Sequence, residues 1–279
     1  MQTVGALDAQ PEPRLRLLLG PYLDAARLLG QRTAQMHICL ASAVDLASLA
    51  PEPFTAHYQR QLYQGFRNLA LRTIYRVSES LEDLPKDLRD AAARLVRNEA
   101  LILSQFEGIR DTPIEDVLRI RIHGDYHLGQ VLCTGQDFVI VDFEGEPLRS
   151  VAERRIRRCA LRDVAGMLRS FQYASRQVLH SEGPGAILRP IDRPKLVPWA
   201  DTWLHWVSAF FLDGYLAAAK QTRLLPKSTA HLNLLLRTYL LEKALYEIGY
   251  ELGHRPDWVG IPLEATASLV GLTPEQPIP

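Results

Sequence analysis

A short β-rich stretch inside an otherwise helical chain most constrains the fold of these 279 residues. Residues 117–143 alternate in polarity and are rich in β-branched side chains. They predict strands at 117–122, 130–134 and 137–143, with TGQD at 134–137 as the turn between the last two. Apolar residues recur at helical spacing over the following segments: 21–47, 57–79, 86–107, 161–181, 199–221 and 227–252. The sequence therefore predicts a mainly α fold with a small β-hairpin.

The composition is that of a globular protein without a bulk charge. The chain has 32 Lys+Arg and 32 Asp+Glu, and 47% of its residues are apolar. This balance gives no support to a nucleic-acid partner bound by net charge. The most apolar run, 199–220, contains Asp201, His205 and Asp213, so it predicts a buried helix and no membrane association. Three scattered cysteines and the lack of a signal-peptide pattern favour a cytoplasmic location.

Two polar motifs flank the predicted hairpin. HGDYHLGQ at 123–130 places Asp125 and Gln130 before one strand, and VIVDFEGEP places Asp142 and Glu144 at the end of the next. On an extended strand end the last two carboxylates point to one side, which suits a hard cation. Phosphoryl transfer requires a carboxylate that accepts a hydroxyl proton, and an amide and a carboxylate that hold magnesium against phosphate. The motif pair therefore favours a phosphotransferase.

The two motifs together resemble the maltokinase family, within the aminoglycoside-phosphotransferase-like and protein-kinase-like superfamily. Most of that superfamily has Asn where this chain has Gln130, and the DFEGEP string is the second feature that points to maltokinases. The resemblance extends over 21–272 and implies the C-terminal lobe of a kinase-like fold, with the catalytic hairpin at 117–147. Residues 1–20 and 273–279 are predicted to be a flexible N-terminal segment and a flexible tail.

The resemblance implies roles for individual residues. Asp125 resembles the catalytic base, and Gln130 and Asp142 resemble the magnesium ligands. Glu144 resembles a further ligand or a carboxylate beside the metal.

Two more residues resemble supports of the site. His123 resembles the histidine that packs beneath the catalytic loop, and Asp163 resembles the helix aspartate that holds the loop by backbone hydrogen bonds. His127 is predicted either to contact substrate or to be a structural loop histidine. His37, on an apolar helix, is predicted to be a core histidine.

The implied reaction transfers phosphate from ATP to the anomeric hydroxyl of maltose and gives maltose 1-phosphate, with Mg²⁺ as cofactor. This step belongs to glycogen, α-glucan and trehalose metabolism. Other acceptors, such as another sugar or an aminoglycoside, remain alternatives. For the sugar, we consider a polar and aromatic cluster near the C-terminus, which could instead be plain surface charge: Lys243, Tyr246, Glu247, Tyr250, Glu251, Arg255 and Trp258.

An ATP-binding N-lobe is not recognisable in the sequence. Residues 1–120 read as helical, and their first lysine, Lys86, lies in a polar turn without a Gly-rich phosphate loop. We therefore expect the N-lobe to be absent. The explanations are a reading frame that starts late, one part of a split enzyme, a degenerate sugar- or partner-binding module, or the tail of a trehalose synthase fusion.

Overall fold

The computed structural model describes residues 10–45, 48–180 and 188–272. These residues are mainly helical and include two small antiparallel sheets, which confirms the predicted fold class at that level. The chain divides into two compact units. The first unit contains 55–114 and 234–272, and the second contains the described residues of 10–54 and 115–233.

The first unit is built from helices around an aromatic core. The Phe66 ring lies 5.4 Å from that of Phe106 and 5.8 Å from that of Tyr239, measured between ring centroids. The buried Gln59 amide donates to the carbonyls of Ile109 and Thr112. The helices of this unit are α2 (Ala56–Glu79), α3 (Lys86–Arg97), α4 (Glu99–Ser104), α5 (Glu107–Asp111), the part of α9 (Thr229–His254) from 234 onward, and α10 (Gly260–Val270).

In the second unit two long helices cross at a pair of glycines. A Cβ on Gly30 of α1 (Pro13–Ala41) would overlap the carbonyl oxygen of Phe211, and a Cβ on Gly214 of α8 (Arg193–Ala219) would overlap the carbonyl oxygen of Arg27. The two backbones can approach this closely only because both positions lack a side chain. The helices of this unit are α1 (Pro13–Ala41), α6 (Val151–Arg154), α7 (Leu161–His180) and α8 (Arg193–Ala219).

Both sheets belong to the second unit. Strands β3 (Val131–Cys133) and β4 (Phe138–Ile140) form the predicted hairpin, with Leu132 opposite Val139. The predicted strand at 117–122 is shorter: β2 (Leu118–Arg119) pairs with β1 (Glu52–Pro53), which lies between the predicted helical segments 21–47 and 57–79. The partner strand limits this pairing, since a two-residue β1 can satisfy only a two-residue β2.

Some element ends differ from the prediction at prolines. Helix α1 begins at Pro13 and not at 21, and α8 begins at Arg193 and not at 199. Proline is compatible with the first helical turn because those N–H groups have no intrahelical acceptor. Of the predicted flexible N-terminal segment at 1–20, residues 13–20 belong to α1, and 1–9 lie outside the described residues. Residues 181–187 and the predicted flexible tail at 273–279 also lie outside them. Among the helices that the structure describes, none is long and apolar enough to cross a membrane.

Candidate active site

The loop that carries Asp125 runs from β2 to β3 in the second unit. Its middle is packed into the protein, since His123 is fully buried and Tyr126 is 3% exposed. The Asp125 side chain is 19% exposed, so it lies at the edge of the packed region and can still meet a solute.

The Asp163 carboxylate holds this loop by accepting hydrogen bonds from the backbone of the loop. The carboxylate lies in the first turn of α7, and it accepts the His123 N–H at 2.8 Å on Oδ2 and the Gly124 N–H at 3.0 Å on Oδ1. Gly124 has φ +89°, a conformation in which glycine avoids the strain that a side chain would bring. One buried carboxylate therefore fixes the two residues that precede Asp125.

His37 connects Asp163 to Tyr215 inside the protein. Nε2 of His37 lies 3.0 Å from Asp163 Oδ2, and Nδ1 lies 3.0 Å from the Tyr215 hydroxyl. Burial, together with the nearby Cys159 and Asp163, raises the pKa of Tyr215 well above its ordinary value, so this hydroxyl keeps its proton and donates to Nδ1. His37 is then protonated on Nε2 and donates to Asp163.

Asp163 is held in its ionised form by these donors. Burial alone would raise the pKa of Asp163, but the hydrogen bond and electrostatic interaction with His37 and the Gly124 N–H outweigh it. The pKa of Asp163 therefore lies below its ordinary value of 3.8. An ionised carboxylate can accept from all three donors at once.

Two further contacts fix the loop at Tyr126. Its hydroxyl lies 2.8 Å from Thr33 Oγ1, and Thr33 donates its own proton to the Leu29 carbonyl. On the other side α7 comes so close that a Cβ on Gly166 would lie 2.7 Å from the Tyr126 carbonyl oxygen. Thr33 and His37 are one turn apart on α1, so a single face of that helix supports the loop.

His123 connects the loop to the end of β4. Its Nε2 lies 2.8 Å from the Val141 carbonyl oxygen, and its ring packs between those of Tyr126 and Phe143 at centroid distances of 5.3 and 5.0 Å. Val141, just before Asp142, is therefore hydrogen-bonded to His123, just before Gly124.

The Gln130 and Asp142 side chains meet across the base of the hairpin. Gln130 Nε2 donates to Asp142 Oδ2 at 2.8 Å. The backbone at Asp142 is not extended as the sequence analysis assumed, because β4 ends at Ile140 and Asp142 has φ +64°. The left-handed conformation turns the chain here, so strand alternation does not relate Asp142 to the exposed Glu144.

The donor set of this corner fits a magnesium ion. Gln130, Asp142 and Glu144 offer amide and carboxylate oxygens, the ligand type that Mg²⁺ prefers, and this ion commonly takes only one or two protein carboxylates beside water and phosphate. Within the described part of the chain, no three His, Cys, Asp or Glu side chains converge as a metal cluster. The Gln130 and Asp142 side chains are already in contact, through the Gln130 amide nitrogen and Asp142 Oδ2.

The hairpin tip is bound to α1 by a two-point ion pair. Arg32 Nε and a terminal nitrogen donate to the two Asp137 oxygens at 2.7 and 2.8 Å. Asp137 Oδ1 also accepts the Phe138 N–H at 2.7 Å. The hydrogen bond and charge of Arg32 are among the causes that hold the pKa of Asp137 below its ordinary value.

The predicted sugar residues lie in the first unit, on α9 and just after it. Glu247 and Glu251 are buried, at 8% and 1% exposure, and Arg255 donates to both oxygens of Glu251 at 2.9 and 2.7 Å. The Arg255 guanidinium also lies 5.2 Å from the Trp258 ring centroid. The Lys243 ammonium lies 5.1 Å from the Tyr246 ring centroid, and the Tyr250 ring stacks on that of His254.

Sequence reasoning missed the support that α1 gives to the loop. His37 was expected only to fill the core, and Thr33 and Arg32 were not singled out. The available signal was two polar residues, Thr33 and His37, spaced by one turn on the otherwise apolar face of a helix, which indicates buried hydrogen bonding.

Comparisons with known proteins agree with a kinase-like fold. No protein-family profile matches the chain. The glucosamine kinase of Streptacidiphilus jiangxiensis is 24% identical over 269 residues, which are 96% of this chain and 54% of that protein. The glucosamine kinase of Mycolicibacterium smegmatis is 27% identical over 257 residues, 91% of this chain and 56% of that protein. The chain thus spans about half the length of the curated relatives it matches.

Comparison with solved structures also indicates a kinase-like fold. A glucosamine kinase in complex with glucosamine, ADP and inorganic phosphate superposes with a TM-score of 0.66 at 25% identity, over 98% of this chain and 56% of the other. A second crystal form of glucosamine kinase has a TM-score of 0.67 at 23% identity, over 96% of this chain and 56% of the other. The chain therefore adopts part of a kinase-like fold, and its homologues are glucosamine kinases of the phosphotransferase type.

Proposed function

We propose that this chain supplies the catalytic half of an ATP-dependent sugar kinase, with glucosamine as its first candidate acceptor. The observation that carries the proposal is the Gln130–Asp142 contact of 2.8 Å at the base of a hairpin whose preceding loop presents Asp125. An amide and a carboxylate in contact, on a hairpin whose preceding loop carries another carboxylate, are among the parts that phosphoryl transfer requires.

In the proposed reaction Asp125 accepts the proton of a sugar hydroxyl while the hydroxyl oxygen bonds to the γ-phosphorus of ATP. The bond from that phosphorus to the β–γ bridging oxygen breaks, and ADP leaves. Gln130 and Asp142 would hold Mg²⁺, which when bound neutralises charge on the phosphate oxygens. Asp163, His123 and the α1 residues keep the loop in position, so that little reorganisation is needed when the substrates bind.

Glucosamine is preferred to maltose because the relatives that the chain matches are glucosamine kinases. The maltose acceptor rests on the motif resemblance alone and stays the second choice within the same reaction class.

The experiment measures ADP release with glucosamine, glucose and maltose, using both the 279-residue chain and the longest protein that its gene encodes. We expect the long protein to be fastest with glucosamine. Asp125→Asn should lower kcat by about 10²-fold or more, as expected for loss of a general base, and should keep the unfolding midpoint.

The outcomes separate the alternatives. A long protein that releases ADP with none of the three sugars contradicts the sugar-kinase proposal. Preference for maltose would keep the reaction and replace the acceptor. If the 279-residue chain binds sugar in calorimetry and the long protein shows no turnover, the sugar-binding module becomes the better description.

A further inference from the structure

We propose that His127 is a positioning residue that donates a hydrogen bond from Nε2 to Asp125 in the reacting complex and so helps to orient the carboxylate that receives the substrate proton. This inference rests on the proposed sugar-kinase function, in which Asp125 is the base. It assigns His127 a role other than direct contact with the sugar or simple filling of the loop.

The first observation fixes the protonation of the imidazole ring. The Gly129 N–H donates to His127 Nδ1 at 3.0 Å, so Nδ1 is an acceptor. In a neutral imidazole the proton must then sit on Nε2. The backbone of the loop therefore sets the tautomer, and Nε2 becomes a donor.

The second observation is where that donor lies. Nε2 is 3.8 Å from Asp125 Oδ2, just outside hydrogen-bond distance, and the two side chains are 42% and 19% exposed. Catalytic hydrogen bonds are often long before substrates bind and shorten in the reacting complex. A sugar that displaces water from this edge of the protein would strengthen the attraction between the two groups.

The third observation is that the His127 ring cannot easily turn away. A Cβ on Gly129 would lie 2.8 Å from Cε1 and 2.9 Å from Nδ1 of the ring, so the ring packs directly on the following turn. That turn, the 3₁₀ segment Leu128–Gln130, also carries the candidate metal ligand Gln130, whose N–H donates to the His127 carbonyl at 2.9 Å. His127 thus connects the proposed base to the proposed metal residue.

The consequence for the reaction concerns the orientation of the Asp125 carboxylate. An N–H of His127 directed at Oδ2 adds a restraint to this carboxylate when the substrates bind. Without this donor the restraint is lost, so fewer encounters have the productive geometry and kcat falls while sugar binding is kept.

Two substitutions separate this role from that of a turn cap. His127→Asn can still accept the Gly129 N–H through its short side chain, because asparagine is a good cap, but it cannot reach Asp125. His127→Gln places an amide nitrogen near the former Nε2 position and loses the acceptor close to the backbone. His57→Asn, at an exposed histidine of the first unit, is the control for the loss of an imidazole.

In the long protein we expect His127→Asn to lower kcat about tenfold or more, with little change in the sugar KM or in the unfolding midpoint. His127→Gln should recover most of kcat and unfold at a lower denaturant concentration. His57→Asn should match wild type. The opposite pattern, with full kcat in His127→Asn and a loss only in His127→Gln, would overturn the proposal and leave His127 as a cap.

A second measurement does not depend on the acceptor. Nitrogen-15 NMR of the histidine rings, with the His127 signal assigned by its loss in His127→Asn, reports the tautomer directly. We expect the Nε2–H form in the wild type and a change of the Nε2 shift in Asp125→Asn. An Nδ1–H form, or an Nε2 chemical shift that does not change in Asp125→Asn, would contradict the proposal even if the protein is a sugar kinase. Failure of the kinase assay with the expected NMR result would instead reject the function and keep the interaction.

Discussion

His37 Nε2 lies 3.0 Å from Asp163 Oδ2, and both side chains are buried, at 0% and 2% exposure. The same carboxylate oxygen accepts the His123 N–H, so a helix histidine and the loop backbone share one acceptor. A buried ionised group with three donors is stable, but each partner becomes costly to remove. This interaction determines the geometry of the residues just before Asp125.

We expect Asp163→Asn to disturb the loop more than it disturbs the rest of the fold. Asparagine has one acceptor oxygen, and its amide would face at least one N–H group, so donors of His37, His123 or Gly124 lose their partner. The free energy of unfolding should fall by roughly 3 kcal/mol, the range for breaking a buried charged interaction. Urea unfolding measures this loss, and under the proposed kinase function kcat should fall more than tenfold with a smaller change in KM. An Asp163→Asn protein with unchanged kcat would contradict the assigned loop support.

Tyr215→Phe tests the far end of the same chain of hydrogen bonds. The substitution removes the proton donor to His37 Nδ1, 3.0 Å away, without creating a large cavity. A buried acceptor that loses its donor costs about 1–3 kcal/mol, so the unfolding midpoint should shift to lower urea. Phe211→Leu would be a poor control, because it changes packing. Tyr22→Phe on the exposed part of α1 is better, since that ring is 61% exposed, and it should be neutral.

The glycine crossing of α1 and α8 predicts a sharp contrast between two Gly→Ala variants. Gly214→Ala would force a methyl group into the Arg27 carbonyl, and the helices must separate, which should cost several kcal/mol or prevent folding. Gly20 lies on α1, where an added Cβ would meet no atom within 4 Å, so Gly20→Ala should stabilise the protein by about 0.5–1 kcal/mol through helix propensity. Thermal unfolding of the two variants checks both signs, and equal midpoints would contradict the close crossing.

The lowered pKa of Asp163 predicts a particular loss of stability in acid. A carboxyl group whose folded-state pKa lies below its unfolded value stabilises the protein above the unfolded value, here the ordinary 3.8, and loses that contribution as the pH falls through the folded pKa. The difference in unfolding free energy between wild type and Asp163→Asn should therefore be constant well above 3.8 and shrink below it. Urea titrations at several pH values measure this difference in unfolding free energy. A difference that grows as the pH falls below 3.8 would contradict a lowered pKa of Asp163.

Local patterns were enough to predict most of the elements. Alternation predicted the β3–β4 hairpin and its TGQD turn, where Gly135 has φ +92°, and helical periodicity predicted the body of every long helix. The motifs also named Asp125, Gln130 and Asp142 before any geometry was known. Boundaries were less accurate at Pro13 and Arg193, because proline stops a helix in some contexts and starts one in others.

The remainder depended on contacts between residues far apart in the chain. His37 and Asp163 are separated by 126 positions and Thr33 and Tyr126 by 93, so no local pattern links them. The left-handed backbone at Asp142 also escaped prediction, because a hydrophobic strand pattern carries no signal for where the extended conformation ends.

The sequence by itself determined the residue types of the candidate site and their order on a hairpin, because strand alternation and motif spacing are local properties. Only the tertiary structure decided how the site is held. The Asp163 carboxylate, the His37 ring and the Gly30–Gly214 crossing act through buried hydrogen bonds and close backbone approach. Those interactions form only when the helices pack, since water would otherwise satisfy the same polar groups.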